Sequence, residues 1–201
     1  MFQNKHIILN DASKSMNFYY SYSSSFNTIY IKDKVTIMRI LLLFMLSISI
    51  VYAEPPLAIG ATAPNWTLQT NLSESLDYYQ DSEDKVSVVI FWATWCPYCA
   101  TLMPHLEVIY RKHRNKGVKF YAIDIFEDGK INPSEYFESK GFTYTMLLEG
   151  DEVASQFGVK GTPSVYVIGK DKKVVYKRPA GVSDVMVKQN VDLRIRQALA
   201  K

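Results

Sequence analysis

The eight residues from Val86 to Ala93, Val-Ser-Val-Val-Ile-Phe-Trp-Ala, leave little choice of structure. They are apolar, β-branched or aromatic almost without a break, the pattern of a strand buried on both faces in the middle of a sheet. Just beyond it the chain reads Trp95-Cys96-Pro97-Tyr98-Cys99. From Pro97 to about Asn115 the residues Leu102, Met103, Leu106, Ile109 and Tyr110 then recur at helical spacing. Arg111, Lys112, His113 and Arg114 gather where a helix dipole is negative, and Gly117 stops the helix. Pro104 lies inside it and is expected to kink it. A cysteine pair therefore sits where a central strand gives way to a helix.

The rest of the C-terminal part alternates in the same manner. Val118 to Ile125 reads as a second buried strand, Pro133 to Ser139 as a helix, Tyr144 to Leu148 as a short strand and Asp151 to Phe157 as a short helix. Ser164 to Ile168 and Val174 to Lys177 read as two strands joined by Lys170-Asp171-Lys172. Asp184 is expected to cap a last helix with Val187, Val191, Ile195 and Leu199 on one face. Strands alternating with helices, then a hairpin and a helix, make an α/β sandwich with one core, and residues 54–201 form that single domain.

The N-terminal quarter is different. Residues 1–37 are rich in Ser, Asn, Tyr and Lys and show no sustained apolar period, so they read as a disordered or spurious extension. Ile40 to Ala53 is an almost wholly apolar run of 14 residues, preceded by Lys32, Lys34 and Arg39 and ending in Val51-Tyr52-Ala53. That is short of the roughly 20 residues of a membrane span. A basic flank, a short apolar stretch and small residues at its end describe a secretory signal over residues 38–53, with Met38 as the natural start and cleavage after Ala53. An uncleaved anchor is the alternative, and either way the domain faces the periplasm or its equivalent outside the cytoplasm.

Charge and cysteine usage narrow the function. Residues 1–53 carry five Lys or Arg against two Asp, whereas residues 54–201 carry 18 of each sign. The domain is neutral, which argues against a nucleic-acid partner. The chain has only two cysteines, Cys96 and Cys99. A disulfide closing so small a loop removes little entropy from the unfolded chain, so the pair is a poor structural staple. Zinc needs about four ligands, and only His105 and His113 lie near the thiols. A redox pair with no cofactor and no metal is the reading left. At a helix start, unpaired N–H groups and the positive dipole end favour Cys96 as a thiolate, while Cys99, one turn further in and less exposed, can resolve a mixed disulfide. Gly161-Thr162-Pro163, set 64 residues after the pair and directly before the strand from Ser164, can hold a cis bond and leave the backbone of Thr162 free to pair with an extended substrate.

These motifs together resemble the thioredoxin superfamily: Phe91-Trp92-Ala93-Thr94-Trp95-Cys96-Pro97-Tyr98-Cys99, Pro104, and Phe157-Gly158-Val159-Lys160-Gly161-Thr162-Pro163. More narrowly the chain resembles the TlpA-like extracytoplasmic branch, which includes the thioredoxins of cytochrome c maturation. Gly60-Ala61-Thr62-Ala63-Pro64-Asn65-Trp66-Thr67-Leu68 and an inserted strand and helix after Val118 support this. The likeness covers about residues 57–200. It implies a thioredoxin-like three-layer α/β sandwich with a central mixed sheet, Cys96 as nucleophile, Cys99 as resolving thiol and Pro163 as cis-proline. Trp95, Pro97, Tyr98 and Thr162 would then line the substrate platform.

Two positions depart from the pattern. Thioredoxins proper carry a buried Asp where this chain has Ile90, and many of the TlpA-like branch carry a Glu where it has Leu102. The proton acceptor for Cys99 is thus unassigned. Glu107, Asp124 and Glu127 are the acids nearest in sequence and read as solvated surface carboxylates. His105 reads as a boundary residue, and Trp92 and Trp95 as partly core. Tyr98 can tune thiolate hydration.

The function expected is an extracytoplasmic thiol-disulfide oxidoreductase, a monomer that reduces disulfides in exported proteins and is recharged by a membrane thiol donor. No His stands between the cysteines and no Lys or Arg in the ten residues before Cys96, which favours reductase over the alternative of a disulfide-introducing oxidase. A Cu(I)-handling module is a further alternative, disfavoured because no Met-rich or His-rich stretch accompanies the thiols.

Overall fold

The computed structural model describes Lys34, residues 36–39 and residues 56–201. Lys34 and residues 36–39 are helical and exposed. The rest of the N-terminal extension, the apolar run from Ile40 and the cleavage position after Ala53 lie outside the described residues. Among the described residues no helix is long and apolar enough to cross a membrane.

In chain order the domain comprises β1 (Thr67–Gln69), β2 (Ser75–Asp77), α1 (Tyr78–Asp81), β3 (Ser87–Trp92), α2 (Pro97–His113), β4 (Lys119–Asp124), α3 (Pro133–Ser139), β5 (Thr145–Leu147), α4 (Asp151–Gln156), β6 (Ser164–Ile168), β7 (Val174–Lys177) and α5 (Asp184–Leu199). The main sheet has the order β5-β4-β3-β6-β7. β4 runs parallel to both β3 and β5, β6 is antiparallel to β3, and β7 is antiparallel to β6. The sheet is therefore mixed. β1 and β2 form a separate antiparallel pair, tied to the β5 edge where Leu148 N–H donates to the Gln69 carbonyl at 2.9 Å.

Every residue of β3 is buried, as a continuous apolar run requires. Because successive side chains alternate across a sheet, Val88, Ile90 and Trp92 enter one core while Val89 and Phe91 enter the other. The first core is closed by Leu102, Met103, Leu106 and Ile109 of α2, Phe137 of α3 and Val187, Val191, Ile195 and Ala198 of α5. The second is closed by Tyr78 of α1, by Val153 and Ala154 of α4, and by Trp66 and Phe157. Helices on both faces of a mixed sheet make the three-layer thioredoxin-like sandwich that the sequence implies.

Several local expectations change in detail. The last helix is capped by Ser183, whose side chain accepts from Met186 N–H, and Asp184 is its first residue, where a negative charge suits the dipole. α2 runs on through Pro104 to His113, followed by a 3₁₀ turn over Arg114–Lys116. Gly117 ends that turn with φ of 77°, a conformation that costs glycine nothing. β1, β2 and α1 are elements the periodicity did not indicate.

Candidate active site

Strand β3 ends at Trp92, and the chain then turns so that Cys96 becomes the N-cap of α2, with extended backbone (φ −85°, ψ 107°) and Pro97 in the first turn. Proline loses nothing there, since that N–H has no partner within the helix. Cys99 N–H, at the helix start, is shared between the Cys96 carbonyl and Cys96 Sγ, each at 3.1 Å. Cys96 and Cys99 are joined as a disulfide, with Cα atoms 5.2 Å apart. Both are buried in this form, so exposure does not separate them as the sequence reading expected. Hydrogen bonding does: the donor at the helix start serves the sulfur of Cys96.

The surroundings of Cys96 are open. Trp95 is 48% and Tyr98 70% exposed, and Pro97 is exposed as well. Trp95 is therefore not a core residue, in contrast to Trp92, which is wholly buried. Antiparallel pairing sets Ser164 opposite Phe91, which carries Thr162 and Pro163 to the same end of the sheet as the disulfide. The Thr162–Pro163 bond is cis. Arg178, just past β7, reaches back so that Nη1 donates to the Pro163 carbonyl at 3.4 Å and Nη2 to that of Val182 at 3.3 Å. All seven residues expected at the site thus gather at one end of the sheet.

The acids do not lie where the sequence reading placed them. Glu107 is buried, accepting from Arg111 Nε at 2.6 Å and from Thr143 N–H and Oγ1 at 3.0 and 2.7 Å. Burial pushes its carboxyl up, but these donors outweigh it and hold the group below its ordinary range. It ties α2 to the segment before β5. Asp124, the last residue of β4, is buried as well. Burial is the main cause lifting it to about 7, opposed by Glu149 N–H and reinforced by the charges of Glu127 and Asp151. Glu127 is half-buried and grips Thr94, accepting the backbone N–H at 2.7 Å and Oγ1–H at 2.5 Å. None is a freely solvated surface acid, because each has donors from distant segments or a neighbouring strand end.

His113, at the far end of α2 from the thiols, is wholly buried and meets Asp192 at 2.7 Å. It belongs to the packing of α2 against α5 and not to a ligand set around the cysteines.

In the segment after β4 the sequence pointed to Glu127 but not to Phe126. Phe126 accepts a hydrogen bond from Trp95 Nε1 at 2.7 Å through its carbonyl, and its N–H donates to Asp151 at 3.0 Å. Residues 126 and 127 together therefore fasten both residues that precede Cys96. Parallel pairing of β3 with β4 was the available signal, because it brings the two strand ends side by side.

A strand turning into a helix capped by a redox-capable cysteine, beside a cis-proline loop, is the geometry of a thioredoxin-like site, and residues 59–177 match the AhpC/TSA family. The chain belongs to the AhpC/TSA family. Curated relatives within reach include thiol-disulfide oxidoreductase ResA of Geobacillus thermodenitrificans, 28% identical over 152 residues, spanning 71% of this chain and 86% of the relative. ResA of Halalkalibacterium halodurans is 26% identical over 165 residues, spanning 78% and 93%. Among solved structures, a thiol:disulfide interchange protein of the thioredoxin family from Chlorobium tepidum superposes with a TM-score of 0.59 at 22% identity, over 71% of this chain and 98% of that one. That likeness supports the fold. With its vicinal cysteines, this AhpC/TSA member is a thioredoxin-like thiol-disulfide oxidoreductase.

Proposed function

We propose that the protein is an extracytoplasmic reductase of protein disulfides, with Cys96 as the attacking and Cys99 as the resolving thiol. The observation that carries this reading is the position of Cys96 at the cap of α2, its sulfur receiving the Cys99 N–H, amid exposed Trp95, Pro97 and Tyr98. In the forward cycle the Cys96 thiolate attacks one sulfur of a substrate disulfide and displaces the other as a thiol. Cys99 then attacks Cys96, forming the intramolecular disulfide and releasing the second substrate thiol. Two electrons and two protons pass to the substrate, and a thiol donor at the membrane must return them. Trp95, Pro97, Tyr98, Thr162 and Pro163 form the platform for the substrate chain.

Direction is read from charge. The side chain fastened to Thr94, two residues before Cys96, is the carboxylate of Glu127, Asp151 holds the Phe126 N–H behind it, and no cation joins them in these contacts. Negative charge opposes a thiolate, destabilises the reduced form and so keeps the potential low. Equilibration with glutathione tests this: a reduction potential near roughly −270 mV agrees, and one near roughly −120 mV would make the protein an oxidase. Export is part of the proposal, resting on the basic flank and short apolar run of residues 38–53. N-terminal sequencing from the native cell should find Glu54 first, and retention of Met38 to Ala53 would replace secretion by anchoring. The monomer is the expected working unit.

A further inference from the structure

Phe126 is the least comfortable residue around the site. Its φ of 57° lies in the left-handed region, which a bulky aromatic side chain adopts only at a cost. Its side chain is 45% exposed, so burial offsets that cost only in part. Three contacts hold the backbone there: its N–H on Asp151, its carbonyl under Trp95 Nε1, and the next residue, Glu127, on Thr94. An over-determined strained backbone that presents an apolar side chain to solvent is a mark of a contact site, and a glycine would satisfy the same backbone without strain.

The surface is continuous with the exchange site, since the indole bonded to Phe126 belongs to the residue before Cys96. Trp95, Tyr98 and Phe126 are all exposed, and the hydrogen bond from the Trp95 indole to Phe126 holds two of them together. Isolated exposed apolar residues mean little, but several grouped around a reactive disulfide make a recognition patch. We propose that Phe126 is a specificity-determining residue, receiving an apolar side chain that flanks the disulfide of an extended substrate segment. The proposal rests on the exchange reading above and adds a substrate class to it: polypeptide disulfides with an aromatic or branched aliphatic neighbour.

The test uses two peptide disulfides, alike except that Phe flanks the cysteine in one and Ser in the other, and compares kcat/KM for the wild-type chain and for Phe126→Gly. Glycine suits the backbone, so the variant should melt at or above the wild-type temperature. The wild type should prefer the Phe-flanked peptide by about tenfold, and Phe126→Gly should lose most of that preference through KM. An unchanged preference, or an equal loss on both peptides, overturns the proposal while leaving disulfide exchange intact. Failure of the wild type to exchange with either peptide would instead overturn the exchange reading, and this one with it. A concentration-dependent dimer that Phe126→Gly abolishes would also overturn it, by making a second copy the occupant.

Discussion

The two ends of strand β4 both carry buried or half-buried carboxylates, yet they are built on opposite terms. At its start, Asp81 receives Lys119 Nζ at 2.9 Å and Tyr121 Oη–H at 2.5 Å. Burial pushes Asp81 up, but these two donors and the neighbouring lysine charges prevail and hold it below the ordinary carboxylate range. At its end, Asp124 has a backbone N–H for a donor and acids for neighbours, and it rises to about 7. Burial alone therefore does not tell what an acid does; the sign of its partners does. The compensated end holds α1 to the sheet. The uncompensated end leads on to Glu127, which grips Thr94 two residues before Cys96.

If chemistry is confined to the second end, the largest effects lie in its thiols. Cys96→Ser should abolish exchange, whereas Cys99→Ala should accumulate a mixed disulfide with substrate that mass spectrometry detects. Trapping by Cys96→Ser and turnover by Cys99→Ala would exchange the two roles. The first end should answer in stability instead. Asp81→Asn removes a charged acceptor from Lys119 and Tyr121 and should cost about 1–3 kcal/mol in denaturant unfolding with exchange unaltered. A loss of exchange at unchanged stability would break the division between the ends.

Asp124 is distinguished by its pH dependence. An unfolded aspartate ionises near pH 4, whereas Asp124 in the folded chain does so near 7. Below about pH 4 both states hold the proton and the residue contributes no difference. Between about 4 and 7 the unfolded chain releases its proton and the folded chain does not, so wild-type stability falls as pH rises, and above 7 the deficit is constant. Asp124→Asn cannot ionise and should escape this fall, gaining on the wild type from pH 4 to pH 8 by at most about 4 kcal/mol, less whatever solvent screening takes from a carboxyl that is not fully enclosed. Parallel stability curves for the two proteins would mean that Asp124 titrates as an ordinary acid.

How much of this was legible in the sequence depended on whether the signal was local. β3 and β4 announced themselves by mainly apolar runs, α2 by its period with Gly117 shortly beyond its end, and the site by two cysteines and Thr162-Pro163. β1, β2 and α1, of three, three and four residues, are too short for any period to register. The acids were misread because their environment comes from elsewhere in the chain: Glu107 is buried by donors on Thr143, and Glu127 is fixed by Thr94. Phe126 gave no sign, since a left-handed turn is ordinarily announced by glycine or asparagine.

The smallest expected effect is the sharpest test of the comparison, because it asks whether the acidic end acts on the thiols through charge. Glu127 accepts both the N–H and the hydroxyl of Thr94, two residues before Cys96. Glutamine has the same length and keeps a carbonyl for the Thr94 N–H, so Glu127→Gln removes the charge while leaving the grip largely in place. Without that charge the Cys96 thiolate forms more readily, the reduced form gains stability, and the potential becomes less negative by about 10–30 mV. Alkylation of Cys96 should shift to lower pH in parallel, a readout that a merely structural role for Glu127 would not move. Asp81→Asn, at the other end of β4, should leave both quantities where they were. A potential that moves to more negative values in Glu127→Gln, or moves equally in the two variants, would show that the charge near the disulfide does not set its poise.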